Sequence, residues 1–180
     1  TTQANVQANA LLQQGQVDQA STLLQQTLAQ QPDNAGAYSL LCRVYYAEDM
    51  ADAAVSECEK AVAHAPDDSD SQMWLGRAYG LKAARVNPLS AFGYAKRVRA
   101  SFERAVELDS SNVRAMSDLG EFYVAAPGIV GGGLDKAEGL AEKMQPRLPA
   151  QSHRLRGRIA EKKNDLASAE ADFKAAATAG

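Results

Sequence analysis

The sequence predicts an all-α chain of about five stacked helical hairpins, and three observations predict it. Apolar residues recur at helical spacing in short segments, polar turns and prolines punctuate those segments, and the pattern returns every 34 residues. Pro32 and Pro66, Ala20 and Ala54, Leu24 and Cys58, and Leu11 and Tyr45 all stand 34 residues apart. A fixed period with small and large residues in step marks an array in which each hairpin needs the next to bury its apolar face.

The clearest unit runs from Ala35 to Pro66. In its first half Tyr38, Leu41, Cys42 and Tyr45 fall at i, i+3, i+4 and i+7, the spacing of one helical face. Ala54, Cys58 and Ala61 do the same in the second half. Glu48 and Asp49 supply a polar turn between them, and Asp52 complements the dipole of the second helix. The small residues Cys42, Ala54 and Ala61 allow close backbone approach, while Tyr38, Leu41 and Tyr45 interdigitate with a neighbour. Pro66 ends the unit, and Asp67 to Ser69 offer a cap for the next helix.

The other units vary this one within a single domain over residues 1–180, with repeats at approximately 1–34, 35–68, 69–112, 113–149 and 150–180. The first carries Ala4, Ala8 and Leu11, a stop at Gly15, then Ala20, Leu24, Leu28 and Pro32. In the third, Trp74, Leu75, Gly76 and Tyr79 open the unit and Phe102 and Ala105 close it. Tyr79 to Ala105 spans 26 residues where Tyr45 to Ala61 spans 16, so about ten residues are added between the helices. We expect a first helix to about Arg85, a break near Asn87 and Pro88, and a long second helix from about Leu89 to Leu108. The fourth has Met116, Leu119, Gly120 and Tyr123, then APGIVGGGLDKA before Ala137, Ala141, Met144 and Pro149. Its Pro and Gly excess predicts an inserted loop, read as a flexible connector. The fifth matches through Leu155, Gly157, Ala160, Asn164, Asp165, Ala169, Phe173 and Ala176. The chain stops at Ala-Thr-Ala-Gly without a polar capping helix, so more chain is expected to follow, or this end to pack on something.

This pattern resembles the tetratricopeptide repeat, through its period, its W-L-G-x-x-Y phrase at Trp74 to Tyr79 and its closing prolines. The resemblance covers essentially the whole chain, departs from the family in the third and fourth units, and leans toward a bacterial type through the Pro/Gly phrase. It implies a right-handed α-solenoid whose first helices line a concave groove, and a protein-protein interaction scaffold that holds a peptide or protein segment there. Carried over by position, the groove residues are Asn5, Asn9, Ser39, Arg43, Tyr46, Met73, Arg77, Ser117, Glu121, Arg154 and Arg158. Arg43 and Arg77 are equivalent, one repeat apart, and guanidinium groups suit a carboxylate or carbonyl-rich segment. Relatives that clamp a C-terminal carboxylate use a Lys-Asn-Asn-Lys-Arg set. Asn5 and Asn9 fit it, but Leu40, Asp70 and Trp74 stand where it needs polar or basic groups. The alternative is a self-assembling structural module, a homo-oligomer, or an assembly factor for a cell-envelope complex, with the groove unused for peptide.

Composition bounds the rest. With 180 residues, 46% hydrophobic and 23% charged, the chain should fold, and no apolar run approaches a membrane span. The net charge of −3 hides an asymmetry: residues 1–80 carry 10 acids and 3 bases, and residues 81–180 carry 12 acids and 16 bases. An electrically bipolar molecule follows. The chain begins at Thr1 without methionine, so a removed leader is open and periplasmic, exported and cytoplasmic locations all stay open.

No enzyme, cofactor or metal is expected. His64 and His153 lie on different units in no ligating spacing, and Asp67, Asp68 and Asp70 lack the glycine and distant glutamate of a calcium loop. The loop from Gly128 to Gly133 could cradle an anion on backbone amides but lacks the Gly-Lys-Ser/Thr order of a phosphate loop. Lys82, Arg85, Lys96, Arg97, Arg99 and Arg104 form a basic cluster without interleaved aromatics in an acidic protein. It reads as a solvated face or a contact for an acidic protein, and no nucleic acid is expected. Cys42 and Cys58, one on each helix of a hairpin, could be bridged in an oxidising compartment or remain two buried thiols.

Overall fold

The computed structural model describes residues 2–179, and among them there are ten α-helices, one 3-10 turn and no strand. Two compact units are present, Thr1–Leu108 and Asp109–Gly180. The first holds three hairpins: α1 (Gln3–Gln13) with α2 (Val17–Gln30), α3 (Ala35–Ala47) with α4 (Ala51–His64), and α5 (Ser69–Ala83) with α6 (Pro88–Leu108). The second holds α7 (Val113–Ala125) with α8 (Leu134–Met144), and α9 (Pro149–Lys162) with α10 (Leu166–Thr178). Within each unit the hairpins pack in chain order, and first helices also touch first helices: α1 on α3, α3 on α5, and α7 on α9.

The same local chemistry starts and stops the repeats. Thr2, Asn34, Asp68 and Asn112 cap α1, α3, α5 and α7, each accepting a hydrogen bond from the backbone amide three residues on. Such caps stabilise a helix by about 1 kcal/mol each. The hairpin turns after α1, α3 and α9 are also alike. Gly15, Asp49 and Asn164 adopt positive φ of 73°, 64° and 60°. The next amide then donates back five residues, from Gln16 to Leu11, Met50 to Tyr45 and Asp165 to Ala160. That is a Schellman closure, and glycine, aspartate and asparagine are the residues that tolerate its left-handed position.

Packing explains the conserved spacing of small and large residues. In the first hairpins Ala8, Leu24, Ala37, Leu40, Leu41 and Val44 form one buried cluster. A Cβ on Gly76 would lie 2.5 Å from the Phe102 ring, and one on Gly157 would lie 2.6 Å from the Phe173 ring, so each glycine is the socket for an aromatic on the partner helix. Cys42 on α3 and Cys58 on α4 are fully buried, with Cα atoms 5.2 Å apart, and are joined by a disulfide.

Two insertions take definite form. The long helix opens at Pro88, and Asn87 caps it by accepting from the Ser90 amide at 3.0 Å. The Pro/Gly segment is not a slack connector. Val130, Gly131 and Gly132 are buried, and the amides of Val130, Gly131, Gly132 and Gly133 donate to Pro127, Gly128, Pro127 and Tyr123. Lys136 Nζ donates to the Gly131 carbonyl at 2.9 Å. These amides are turned into the protein's own carbonyls, which removes the anion cradle considered from the sequence.

Candidate functional site

The face made by the first helices carries most of the groove residues expected from the sequence. In the first unit, α1, α3 and α5 lie side by side and bring Asn9, Arg43, Tyr46 and Arg77 together around Trp74. The Arg43 guanidinium carbon is 5.3 Å from the Trp74 ring centroid and that of Arg77 is 4.6 Å away. Tyr46 meets the same ring edge-on at 5.6 Å, and Arg43 Nη1 donates to Asn9 Oδ1 at 3.1 Å. Two cations from successive repeats thus share one indole. Guanidinium groups stacked on an aromatic face are held in place while their in-plane N–H donors still point outward toward an acceptor.

Two expected groove residues are not on this face. Met73 is fully buried and belongs to the core, because it adjoins Trp74 on α5 but turns some 100° away from it, toward the packing side. Asn5 is 4% exposed and serves the seam between repeats: its Nδ2 donates to Asn34 Oδ1 at 2.9 Å, in the space a Cβ on Gly36 would fill. Ser39 is half-buried on α3. Trp74 is the residue the sequence reading missed as a site member. It stands three positions before Arg77, on the same helical face, and that spacing was the available signal.

In the second unit Ser117 and Glu121 on α7 face Arg154 and Arg158 on α9. Arg158 Nε donates to Glu121 Oε1 at 3.0 Å and its Nη1 to Glu161 Oε2 at 2.6 Å. Hydrogen bonds from Glu121 and then Glu161 raise the Arg158 pKa above its ordinary value. Beside this pair lies a cavity of about 180 Å³ lined by Ser117, Glu121, Met144, Gln151, Arg154 and Leu155. Met144 and Leu155 are buried and form its apolar part, while Arg154 is exposed and makes no ion pair among the described residues.

The basic cluster around the third hairpin is mostly matched internally. Lys82 pairs with Asp52 and Arg85 with Asp49, Arg104 reaches Asp67 and Glu107 at 3.0 Å, and Arg99 lies 3.7 Å from Glu103. Arg97 stacks on Tyr79 and Tyr94 instead. Within this unit the acids of α3, α4 and their following turns are set against the bases of α5 and α6, so charges unlike in sequence position are neighbours in space. Among the described residues no group of three or more His, Cys, Asp or Glu side chains could hold a metal ion, and no helix is long and apolar enough to cross a membrane.

Comparison with known proteins agrees with this architecture. A family model described as Tetratricopeptide repeat matches residues 11–78. A thermophilic TPR protein of Thermus thermophilus is similar in structure, with a TM-score of 0.76 and 19% identity, covering 97% of this chain and 89% of that one. YrrB, described as a TPR protein with an unusual peptide-binding site, has a TM-score of 0.65 and 21% identity over 95% of this chain and 81% of that one. Human IFIT1, described as a dimer with m7Gppp-AAAA, has a TM-score of 0.82 and 21% identity over 97% of this chain but 41% of its own length. No curated protein sequence matches this chain. Proteins of this fold bind protein or peptide partners and are generally scaffolds without catalytic activity. With its 34-residue period, Schellman turns, glycine-aromatic sockets and the family match over residues 11–78, the chain is a tetratricopeptide repeat protein.

Proposed function

We propose that this protein is a non-enzymatic interaction scaffold that holds an extended, acidic protein segment on the first-helix face of its first unit. The observation that carries this reading is the pair of guanidinium groups, Arg43 and Arg77, stacked on Trp74. Cations preorganised by an aromatic ring lose little side-chain entropy on meeting a carboxylate, and Arg binds carboxylates through two parallel hydrogen bonds. Asn9 and Tyr46 complete a patch suited to an extended backbone bearing acidic side chains.

A fluorescent decapeptide of alternating Asp and Gly, compared with its Asn counterpart, tests the reading by anisotropy. The Asp peptide should bind at least tenfold more tightly, and Arg43→Ala with Arg77→Ala should abolish the difference while helicity by circular dichroism stays unchanged. Equal binding of the two peptides, or an unaffected double variant, rejects it.

Self-association is a second reading, favoured by Leu89 and Phe92. They stand one turn apart at the start of α6, 84% and 42% exposed. Sedimentation would show a dimer that Leu89→Glu dissociates; a monomer at every concentration removes this reading.

A further inference from the structure

The cavity between α7 and α9 has a chemistry distinct from the stacked cations of the first unit. We propose that it is a subsite for one aliphatic residue that carries, or is followed by, a carboxylate. The proposal rests on the scaffold reading only in taking the ligand to be a peptide.

Size and lining set the apolar half of the ligand. A space of about 180 Å³ is enough for one branched or straight aliphatic side chain, since a dry cavity of about 150 Å³ takes up benzene. Met144 and Leu155, 1% and 6% exposed, present hydrocarbon and a thioether there. A methionine wall adapts its shape to different aliphatic groups. Leu155 is itself fixed, because it packs where a Cβ on Gly120 would stand, 2.9 Å from its δ carbons. The apolar wall is therefore preformed.

Charge sets the other half. Glu121 is engaged by Arg158, which also holds Glu161, so the acid at the rim already has its cation. Arg154 has no such partner among the described residues, and Gln151 lies one turn before it on the same face of α9, lining the same cavity. A guanidinium next to an apolar hollow selects a carboxylate held a few bonds from a hydrocarbon group, and the Gln151 amide can pair with the adjoining peptide bond. A cationic ligand would meet Arg154 at the entrance and is disfavoured.

Methyl-detected NMR tests this on the whole chain, using N-acetyl-L-leucine, N-acetyl-L-leucinamide and N-acetylglycine as probes. N-acetyl-L-leucine should shift the Met144 and Leu155 methyl signals saturably in the millimolar range. The amide, which lacks the carboxylate, and N-acetylglycine, which lacks the aliphatic group, should each bind at least fivefold more weakly. Arg154→Gln should lower acid binding to the level of the amide and leave amide binding as it was. No saturable shift, equal binding of acid and amide, or an Arg154→Gln variant that binds like the unaltered protein would each overturn the proposal. Because these signals come from α8 and α9, and the Arg43→Ala, Arg77→Ala test reports on α3 and α5, either idea can fail while the other stands.

Discussion

The first-helix faces of the two units use arginine in opposite ways. On the first, Arg43 and Arg77 rest on the indole of Trp74; on the second, Arg158 is spent on Glu121 and Glu161. Stacking orients a guanidinium and leaves it donors to give, whereas a carboxylate takes those donors. Two faces of the same repeat ancestry thus differ in readiness for an acidic ligand because of what stands beside each arginine. The units differ covalently too, since the disulfide ties α3 to α4 in the first only.

Removing that tie gives the largest expected effect. Cys42→Ser with Cys58→Ser opens a loop of 16 residues and should lower the stability of the first unit by about 3 kcal/mol. Denaturation followed by Trp74 fluorescence would show it, since the only tryptophan is in that unit. A midpoint unmoved in denaturant would mean that packing alone holds the hairpin. Next, Trp74→Ala should weaken binding of the Asp decapeptide on the order of tenfold, about 1.4 kcal/mol, by releasing both guanidinium groups from one platform. If binding is unaffected, stacking does not prepare these cations. Smaller still, Glu121→Gln should free Arg158 and raise acidic-peptide binding to the second unit a few-fold, at a stability cost under about 1 kcal/mol, as for exposed pairs generally. Loss of binding instead would reverse the contrast drawn above.

The smallest effect at neutral pH concerns Tyr79. Burial, followed by its hydrogen bond to Glu59 at 2.8 Å, pushes the phenol pKa up to about 12 from an ordinary value near 10. The neutral phenol therefore contributes stability fully below pH 10, and that contribution is lost as the pH rises through about 12. Ultraviolet titration should show one tyrosine ionising late, and Tyr79→Phe should remove that step and flatten the alkaline stability profile. A tyrosine titrating normally at this position would show the phenol to be open to water.

Much of the fold was legible because repetition states the same pattern several times. Positions 34 residues apart predicted which residues pack, and the break before the long helix fell within a residue of Pro88. The face was legible less evenly. Periodicity alone assigns Met73 to the groove as readily as Trp74, since a hundred degrees on a helix separates neighbours and the burial boundary runs between them. Asn5 was misplaced because the seam between hairpins recruits a polar side chain to a neighbouring cap, a tertiary contact with no local signature. The charge asymmetry was real in sequence, but Asp49, Asp52 and Asp67 are answered by Arg85, Lys82 and Arg104 across adjoining helices. Folding cancels part of the polarity that linear counting assigns to the two halves.

The inward-turned loop after α7 has a practical consequence for anyone altering this protein. A side chain at Gly132 would collide with the Ala126 carbonyl, and Gly131 and Gly133 hold positive φ, whereas Gly128 has open space around it and Ile129 stands 72% exposed. Tolerance to mutation should therefore switch within three residues. A library randomised at 128 and 129 should yield mostly folded clones and one randomised at 131 to 133 almost none, which makes the loop's tip a natural place to attach a dye or tether.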